Sequence, residues 1–162
     1  MRILGLDPGS RITGMGIIEG ESLVAVRQLN LGGGEIPDRL AAIFVGVSEI
    51  IAEFRPEVVA IETVFMSRNA QSAIKLGQAR GAAICAAVNA GLAVHEYAPR
   101  LIKQAIVGRG GADKQQVQHM VRVLLQSVDE FGADAADALA VALCHLHSAR
   151  TTRRLPHGVV LR

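Results

Sequence analysis

Short apolar runs separated by turn sequences dominate the first thirty residues of the chain. The first run ends at Asp7, and Asp7-Pro8-Gly9-Ser10 and Glu19-Gly20 are typical turn sequences. Three short apolar segments joined by two tight turns favour an antiparallel meander. We therefore predict strands at Arg2–Asp7, Thr13–Glu19 and Leu23–Leu31.

A helical periodicity follows the glycine triplet at 32–34. Apolar residues recur every three or four positions from Ile36 to Phe54, with Pro37 in the first turn and Pro56 just beyond the end, which predicts an amphipathic helix. A second helix is predicted from Asn69 to Ala90. Its many Gly and Ala residues allow another backbone to come close, so it packs tightly on the sheet or forms a subunit contact.

Strands and helices alternate in the rest of the chain. Two further strands are predicted at Glu57–Ile61 and Leu92–Glu96, and three helices at Pro99–Val107, Asp113–Leu125 and Ala133–Arg150. A meander followed by alternating strands and helices predicts an α/β fold, a mixed sheet with helices on its faces. We expect one domain over residues 1–150 and a basic, flexible tail over residues 151–162.

Composition indicates an ordinary globular protein. The chain has 162 residues, of which 50% are hydrophobic and 20% are charged, which is enough for one domain with a real core. Cys85 and Cys144 both lie in apolar helical stretches, and we expect them to be small core residues in a reducing compartment. No targeting or membrane-spanning segment is visible, which predicts a cytoplasmic protein.

Charge is distributed unevenly along the chain. Residues 1–67 contain five basic and nine acidic residues, whereas residues 68–122 contain eight basic and two acidic residues. The basic middle region is therefore a candidate polyanion-binding surface, with a solvated helix face as the alternative. Its candidate contacts to a polyanion such as DNA are Arg68, Lys75, Arg80, Lys103, Arg109 and Lys114.

Four carboxylates lie where hydrophobic segments begin or end. Asp7 and Glu62 each follow an apolar strand, and Asp134 and Asp137 open the last helix. Residues three apart in a helix share a face, and the positive end of the helix dipole favours their charge. Turn formation at Asp7 and helix capping at the aspartate pair are the structural alternatives. Together, the four acids predict a site for hard divalent cations such as Mg²⁺.

The residues around these acids resemble the RuvC family of Holliday-junction resolvases. The resemblance runs in order from Met1 to about Ser148, and its blocks together are highly specific. The matching blocks are Gly5-Leu6-Asp7-Pro8-Gly9-Ser10-Arg11-Ile12-Thr13-Gly14, Ile61-Glu62-Thr63-Val64-Phe65-Met66, Lys75-Leu76-Gly77-Gln78-Ala79-Arg80-Gly81, Gln116-Val117-Gln118-His119-Met120-Val121 and Ala133-Asp134-Ala135-Ala136-Asp137-Ala138-Leu139.

This resemblance implies a ribonuclease H-like fold, a five-stranded mixed sheet flanked by helices, and a homodimer that cuts four-way DNA junctions. It implies that Asp7, Glu62, Asp134 and Asp137 are catalytic metal ligands, and some family members carry His at the position of Asp137. It also implies that Lys103 and Lys114 take part in catalysis or hold the junction backbone, and that Phe65 lies against DNA bases near the crossover.

The chemistry that follows is Mg²⁺-dependent phosphodiester hydrolysis, with Mn²⁺ as a substitute and two ions expected in each site. The resemblance implies paired symmetric nicks during recombination and repair, with 5′-phosphate and 3′-hydroxyl products. It also implies cooperation with the RuvA and RuvB branch-migration proteins, without a membrane partner. The cleavage-sequence preference and the role of the tail at residues 151–162 are left open.

Other readings of single motifs remain. Asp7 to Thr13 is also similar to the first phosphate loop of actin-like and sugar-kinase ATPases, although 162 residues leave no room for their second lobe. A catalytically inactive junction-binding module is a second alternative, but four acids would burden a protein that only binds DNA. Cys144, His145 and His147 diverge around a helix, so a zinc site is not expected there. Gly108-Arg109-Gly110-Gly111 is either a flexible DNA-contacting loop or a plain turn.

Overall fold

The computed structural model describes residues 1–63, 69–127 and 131–154, and the side chains as far as residue 151. These ranges contain five strands and five helices. The strands are β1 (Arg2–Asp7), β2 (Ile12–Glu19), β3 (Ser22–Asn30), β4 (Val58–Glu62) and β5 (Ala93–Tyr97). The helices are α1 (Ile36–Phe54), α2 (Ala70–Asn89), α3 (Pro99–Val107), α4 (Lys114–Leu124) and α5 (Ala133–Arg154).

The strands form one mixed sheet in the order β3-β2-β1-β4-β5. β1, β2 and β3 form the predicted antiparallel meander, and β4 and β5 continue the sheet parallel to β1. The carboxyl ends of β1, β4 and β5 therefore lie at one edge of the sheet. In such sheets, ligands bind beyond these ends.

Two apolar layers cover the two faces of the sheet. One core lies between the sheet and α3, α4 and α5, and includes Ile3 and Leu139. The other lies between the sheet and α1 and α2, and includes Leu4 and Val47. Ile3 and Leu4 belong to opposite cores because successive side chains of a strand point to opposite faces.

Glycines allow α5 to lie directly against the central strands. A Cβ atom built at Gly5 of β1 would lie 2.0 Å from the carbonyl oxygen of Ala138, which no real side chain tolerates. One at Gly16 of β2 would lie 2.6 Å from the Leu139 side chain. The small residues of the strands thus set how closely this helix approaches the sheet.

The predicted element ends agree with the structure to within one residue, except at α5. This helix continues to Arg154, so residues 151–154 are helical and the expected tail starts later than predicted. The physical reason is that the segment up to residue 154 contains no helix breaker, and Thr151 Oγ1 donates a hydrogen bond of 3.0 Å to the carbonyl oxygen of His147. Residues 155–162 lie outside the described residues.

The prediction for Cys85 was wrong. Cys144 is fully buried as expected, but Cys85 is exposed on α2. A helix with so many small residues has a weak contrast between its faces, so its sequence did not show which face is covered. None of the helices in the described ranges is long and apolar enough to cross a membrane.

Candidate active site

Asp7 and Glu62 are the last residues of two neighbouring parallel strands. Leu6 and Ile61, which precede them, lie opposite each other in the β1–β4 ladder and belong to the core under α1 and α2. Because side chains alternate between the faces of a strand, Asp7 and Glu62 both point to the opposite face, which is covered by α5. The pairing of β1 with β4 thus brings two distant carboxylates together.

The first turn of α5 brings the other two carboxylates to the same edge. Gly14 pairs with Asp7 in the β1–β2 ladder, and a Cβ atom at Gly14 would lie 2.1 Å from the carbonyl oxygen of Asp134. The start of α5 therefore rests on the backbone beside Asp7. Asp137 lies one turn further along the helix, and both aspartates are partly buried.

The pKa of Asp7 shows how closely the acids interact. Burial is the largest cause, followed by the negative charges of Asp137, Glu62 and Asp134, and together they raise the pKa of Asp7 to about 7, while Lys114 acts to lower it. Burial and then the charge of Asp137 also raise the pKa of Glu62, whereas the nearby lysines lower it. Cations bound among these acids would favour their ionised forms.

Two lysines supply positive charge beside the acids. Lys114 Nζ lies 2.6 Å from Asp137 Oδ2, and this hydrogen bond is the main cause that raises the pKa of Lys114. Lys103 lowers the pKa of Glu62 and lines a cleft of about 190 Å³ together with Glu62, Lys114 and Asp137. The structure therefore brings both predicted lysines to the acidic site.

The four carboxylates fit a hydrated hard cation. In the described ranges, no three His, Cys, Asp or Glu side chains converge closely enough to hold a metal ion by themselves, although the acids are near enough to shift one another's pKa. Mg²⁺ usually keeps several waters and takes further oxygens from its substrate, so an open set of carboxylates suits it. A structural metal held only by protein ligands would require a tighter set.

A known protein family matches most of the chain. The family described as crossover junction endodeoxyribonuclease RuvC matches residues 3–145. The chain belongs to the RuvC family.

RuvC proteins from other organisms are similar over nearly their whole length. The crossover junction endodeoxyribonuclease RuvC of Methylococcus capsulatus is 55% identical over 161 residues, covering 98% of each chain. That of Vibrio campbellii is 59% identical over 157 residues, covering 92% of this chain and 88% of the relative. The solved structure of Thermus thermophilus RuvC in complex with Holliday junction substrate is 36% identical, with a TM-score of 0.87, and covers 94% of this chain and 96% of that one.

These comparisons confirm the predicted ribonuclease H-like fold and the nuclease class. They do not favour the ATPase reading of the loop after Asp7. The comparisons do not assign roles to single residues of this RuvC-family chain. The other predicted site residues have different surroundings.

Arg109 lies in the loop before α4. Its Nη2 donates a hydrogen bond of 2.8 Å to Gln116 Oε1. Gln116 also forms the capping box with Asp113 at the start of α4. The loop of this RuvC-family chain therefore braces the first turn of the helix that presents Lys114, and Arg109 itself is exposed.

Arg80 is engaged within the protein. Its Nε donates a hydrogen bond of 3.0 Å to the carbonyl oxygen of Glu62, and its Nη2 forms an ion pair with Glu96. The side chain is only 18% exposed. These contacts join α2 to the ends of β4 and β5, which favours a positioning role over the DNA contact predicted for Arg80. Sequence reasoning missed Glu96 because the residue pattern of its strand does not indicate that Glu96 pairs with Arg80.

Lys75 lines a second cleft, which none of the four acids lines. This cleft is also lined by Arg11 and Arg39, which sequence reasoning had not assigned to DNA. Arg11 stands inside a RuvC-like block, but no motif marked Arg39 of α1. Only the folding of the β1–β2 turn, α1 and α2 against one another brings the three cations together.

Two predicted DNA-contacting residues, Phe65 and Arg68, lie outside the described residues. They belong to the segment between β4 and α2, directly after Glu62 and Thr63 in the chain of this RuvC-family protein. The assignment of Phe65 to DNA stays a prediction from the family resemblance, and that of Arg68 a prediction from the charge of the middle region.

Cys144, His145 and His147 of α5 have separate surroundings. His145 Nδ1 lies 2.7 Å from the Tyr97 hydroxyl in the buried core, whereas His147 Nδ1 lies 3.3 Å from the carbonyl oxygen of Ala105. Burial raises the pKa of Cys144 to about 11. The side chains of His145 and His147 thus have different neighbours.

Proposed function

We propose that this chain resolves four-way DNA junctions by hydrolysing one phosphodiester bond in each of two opposed strands. The observation that carries this proposal is the meeting of Asp7, Glu62, Asp134 and Asp137 at one sheet edge, with two lysines beside them. The similarity to the Thermus RuvC solved with Holliday junction substrate supports the same substrate for this chain. The proposed products carry 5′-phosphate and 3′-hydroxyl ends.

The carboxylates would hold divalent cations at the scissile phosphate. Mg²⁺ is the proposed ion, with Mn²⁺ as a substitute and two ions in each site, because all four side chains are hard oxygen donors. When bound, such ions activate water and neutralise the charge of the leaving oxygen. Asp7 and Glu62 would be fixed by the sheet, whereas Asp134 and Asp137 would be fixed by the first turn of α5.

Lys114 and Lys103 would act on the phosphate. Lys114 is 58% exposed although it is paired with Asp137, so its ammonium group can reach substrate from the rim of the cleft. Lys103 lines the same cleft and lies near enough to Glu62 to lower its pKa. Preorganised positive charge at the position where negative charge develops is often the largest contribution of a protein to catalysis.

A dimer of this chain would provide one such site for each of the two strands. A four-way junction has two equivalent strands, and a twofold symmetric dimer matches that symmetry. The proposed interface is α2, where Ile74 and Val88 are 62% and 59% exposed. A Cβ atom at Gly77 or Gly81 would meet nothing within 4 Å, so a second backbone has room to approach.

Further proposals follow from the family resemblance. They place Phe65 against the bases near the crossover and make the protein a partner of RuvA and RuvB. The basic charge of the middle region supports Arg68, Lys75 and Arg109 as contacts to the DNA backbone. We also propose a cytoplasmic location, as the sequence predicts. Co-precipitation of purified RuvA and RuvB with this protein on junction DNA tests the partnership.

The decisive experiment incubates the purified protein with an end-labelled four-way junction and with a linear duplex of the same sequence, each with Mg²⁺ or with chelator. We expect paired, symmetric cuts in the junction, only with Mg²⁺, and 5′-phosphate ends that a ligase can seal. Binding without any cleavage would instead identify a junction-binding module. Equal cutting of the linear duplex would contradict structure-selective cleavage.

A further inference from the structure

A basic cleft lies next to the acidic site and is separate from it. Its volume is about 610 Å³, and its lining includes Arg11, Arg39 and Lys75. No carboxylate lines it. Within the described ranges, none of the three cations forms an ion pair with an Asp or Glu side chain. Their charge therefore remains available to an anion.

Local hydrogen bonds fix one wall of this cleft. Arg39 Nε donates to the carbonyl oxygen of Gly34 at 2.6 Å, and its Nη1 donates to that of Ser10 at 3.2 Å. A guanidinium group has five N–H donors, so donors remain for a ligand. In addition, the amide of Leu31 donates to the carbonyl oxygen of Arg11 at 2.8 Å, which holds the backbone of the β1–β2 turn in place.

The lining also indicates the class of ligand. Ligand pockets of this size for drug-like molecules are lined mainly by hydrophobic and aromatic side chains. Here Ile12 is the one apolar side chain of the lining, and the other members are cationic, polar or glycine: Ser10, Arg11, Asn30, Gly32, Gly33, Arg39, Ser72 and Lys75. This composition favours a phosphate group over an apolar molecule.

The cleft adjoins the acidic site along two elements. A smaller cleft of about 190 Å³, lined by Asp7, Pro8, Leu76 and Arg80 among others, lies at the carboxylates. Ser10 lies two residues after Pro8 in the β1–β2 turn, and Lys75 precedes Leu76 in α2, so residues that line the two clefts are close neighbours along both elements. From Arg80 back to Ser72 is about 12 Å along a helix with a rise of 1.5 Å per residue.

We propose that the basic cleft of Arg11, Arg39 and Lys75 binds a backbone phosphate of the DNA arm that leads into the acidic site. This inference rests on the proposed junction cleavage and adds a second phosphate site to it. About 12 Å corresponds to three or four nucleotides, at 3.4 Å of axial rise for each nucleotide of a strand. The contact would set the register of the arm, since phosphate contacts position a protein on DNA without reading its sequence.

Arg11 and Lys75 are exposed residues of the cleft, so substituting them should disturb the fold little. Arg11→Gln and Lys75→Gln each remove one charge without removing a described hydrogen bond of their side chains. Arg150→Gln is the matched control, since Arg150 pairs with Glu21 at the opposite end of the sheet. We expect the slope of log affinity against log salt, measured by fluorescence anisotropy on a junction, to fall by about 0.9 for each cleft variant. Slopes that match the control would overturn the proposal.

A scan with neutral linkages places the contact. Single methylphosphonates are introduced along the cleaved strand, and affinity is measured for the parent chain and for Arg11→Gln. We expect the parent chain to lose affinity at a linkage about three or four nucleotides from the cut, and the variant to show no loss there. Equal losses in both proteins at that linkage would exclude the cleft.

Free phosphate is the competing source of the same chemistry. Inorganic phosphate is added at constant ionic strength, and we expect it to displace DNA no better than chloride does. Preferential displacement that disappears in Arg11→Gln would identify a site for a small phosphate compound and overturn the DNA assignment. Junction cleavage by the parent chain is measured in parallel, so that a failure of the cleft proposal is distinguished from a failure of the proposed function.

Discussion

The ammonium group of Lys114 lies 2.6 Å from a carboxylate oxygen of Asp137. Lys114 is the first residue of α4, and Asp137 lies in the first turns of α5, so this ion pair joins two helices at the mouth of the acidic cleft. The lysine therefore offsets part of the negative charge of the site and also holds an exposed position at its rim.

Lys114→Ala should slow cleavage strongly. Loss of one preorganised donor to a developing charge costs about 100-fold in turnover, and loss of one phosphate contact lowers the salt slope of binding by about 0.9. Single-turnover cleavage and anisotropy titrations at several salt concentrations measure the two effects. Arg150→Ala removes the same charge at a distant position and should change neither rate nor slope. An unchanged salt slope for Lys114→Ala would argue against contact with phosphate.

Asp137→Asn separates binding from chemistry. The substitution removes one negative charge and releases Lys114 from its ion pair, so junction affinity should be maintained or increase. Cleavage with Mg²⁺ should be lost, because an amide is a poor ligand for a hard divalent cation. Band-shift and cleavage assays on the same preparation test both statements. Retained cleavage would remove Asp137 from the mechanism.

Asp7→Asn should stabilise the metal-free protein in a pH-dependent way. The folded state raises the pKa of Asp7 from 3.8 to about 7, so the folded protein holds a proton that the unfolded chain has already lost. The resulting cost to folding is absent below pH 4, grows as pH rises from 4 to 7 and is complete above 7, with an upper limit of about 4 kcal/mol.

Thermal unfolding in chelator measures this effect. The gain in Tm of Asp7→Asn over the parent chain should be larger at pH 7.5 than at pH 4. Glu49→Gln, which removes an exposed carboxylate of α1, serves as the control and should show little gain at either pH. A gain that does not change with pH would contradict the charge explanation.

Arg80 should act on cleavage through the position of Glu62. Arg80→Gln removes the hydrogen bond to the Glu62 carbonyl and the ion pair with Glu96. Because small displacements in an active site can cost up to about 100-fold, we expect a clear fall in the single-turnover rate at saturating DNA. Arg80→Lys cannot make both contacts in the same geometry and should rescue only part of the rate.

The salt slope distinguishes this role from a DNA contact. A positioning residue leaves the slope of Arg80→Gln equal to that of the parent chain, whereas a phosphate contact lowers it by about 0.9. Glu96→Gln should reproduce part of the rate defect, since it removes the partner that fixes Arg80. A normal single-turnover rate with a reduced salt slope would instead support a DNA contact for Arg80.

Gly14→Ala should disturb both stability and cleavage. The added Cβ atom would lie 2.1 Å from the carbonyl oxygen of Asp134, so α5 must shift away from β2. Overpacking of this kind costs roughly 1 to 3 kcal/mol. Urea unfolding and single-turnover cleavage measure the two losses. Gly111→Ala, where a Cβ atom would meet nothing within 4 Å, is the matched control. Equal behaviour of the two variants would contradict the proposed packing constraint.

Periodicity was sufficient for most of the fold. Alternating runs and clear helix stripes, such as the one from Ile36 to Phe54, depend on local sequence, so their ends were predicted to within one residue. The end of α5 was predicted too early. Residues 151–154 continue the helix, since no strong helix breaker occurs before Pro156. Cys85 was misplaced because α2 has small residues on several faces.

The sequence predicted where the acids of the site meet, but it did not predict the contact partners of all its basic residues. Asp7 and Glu62 stand at strand ends, where the sequence itself indicates a sheet edge. The partners of a long basic side chain depend instead on tertiary approach. Arg80 was therefore assigned to DNA although it contacts Glu62 and Glu96, and Arg39 was not assigned to the basic cleft.

In the proposed function, the two faces of the sheet serve different parts of the same reaction. The acids project into the layer of α5, where glycine backbone sets the distances, whereas the basic cleft and the exposed stripe of α2 belong to the layer of α1 and α2. Substitutions in the layer of α1 and α2 could therefore change the DNA-arm contacts or the dimer contact of a relative. The hydrolytic centre, in the other layer, would keep its geometry.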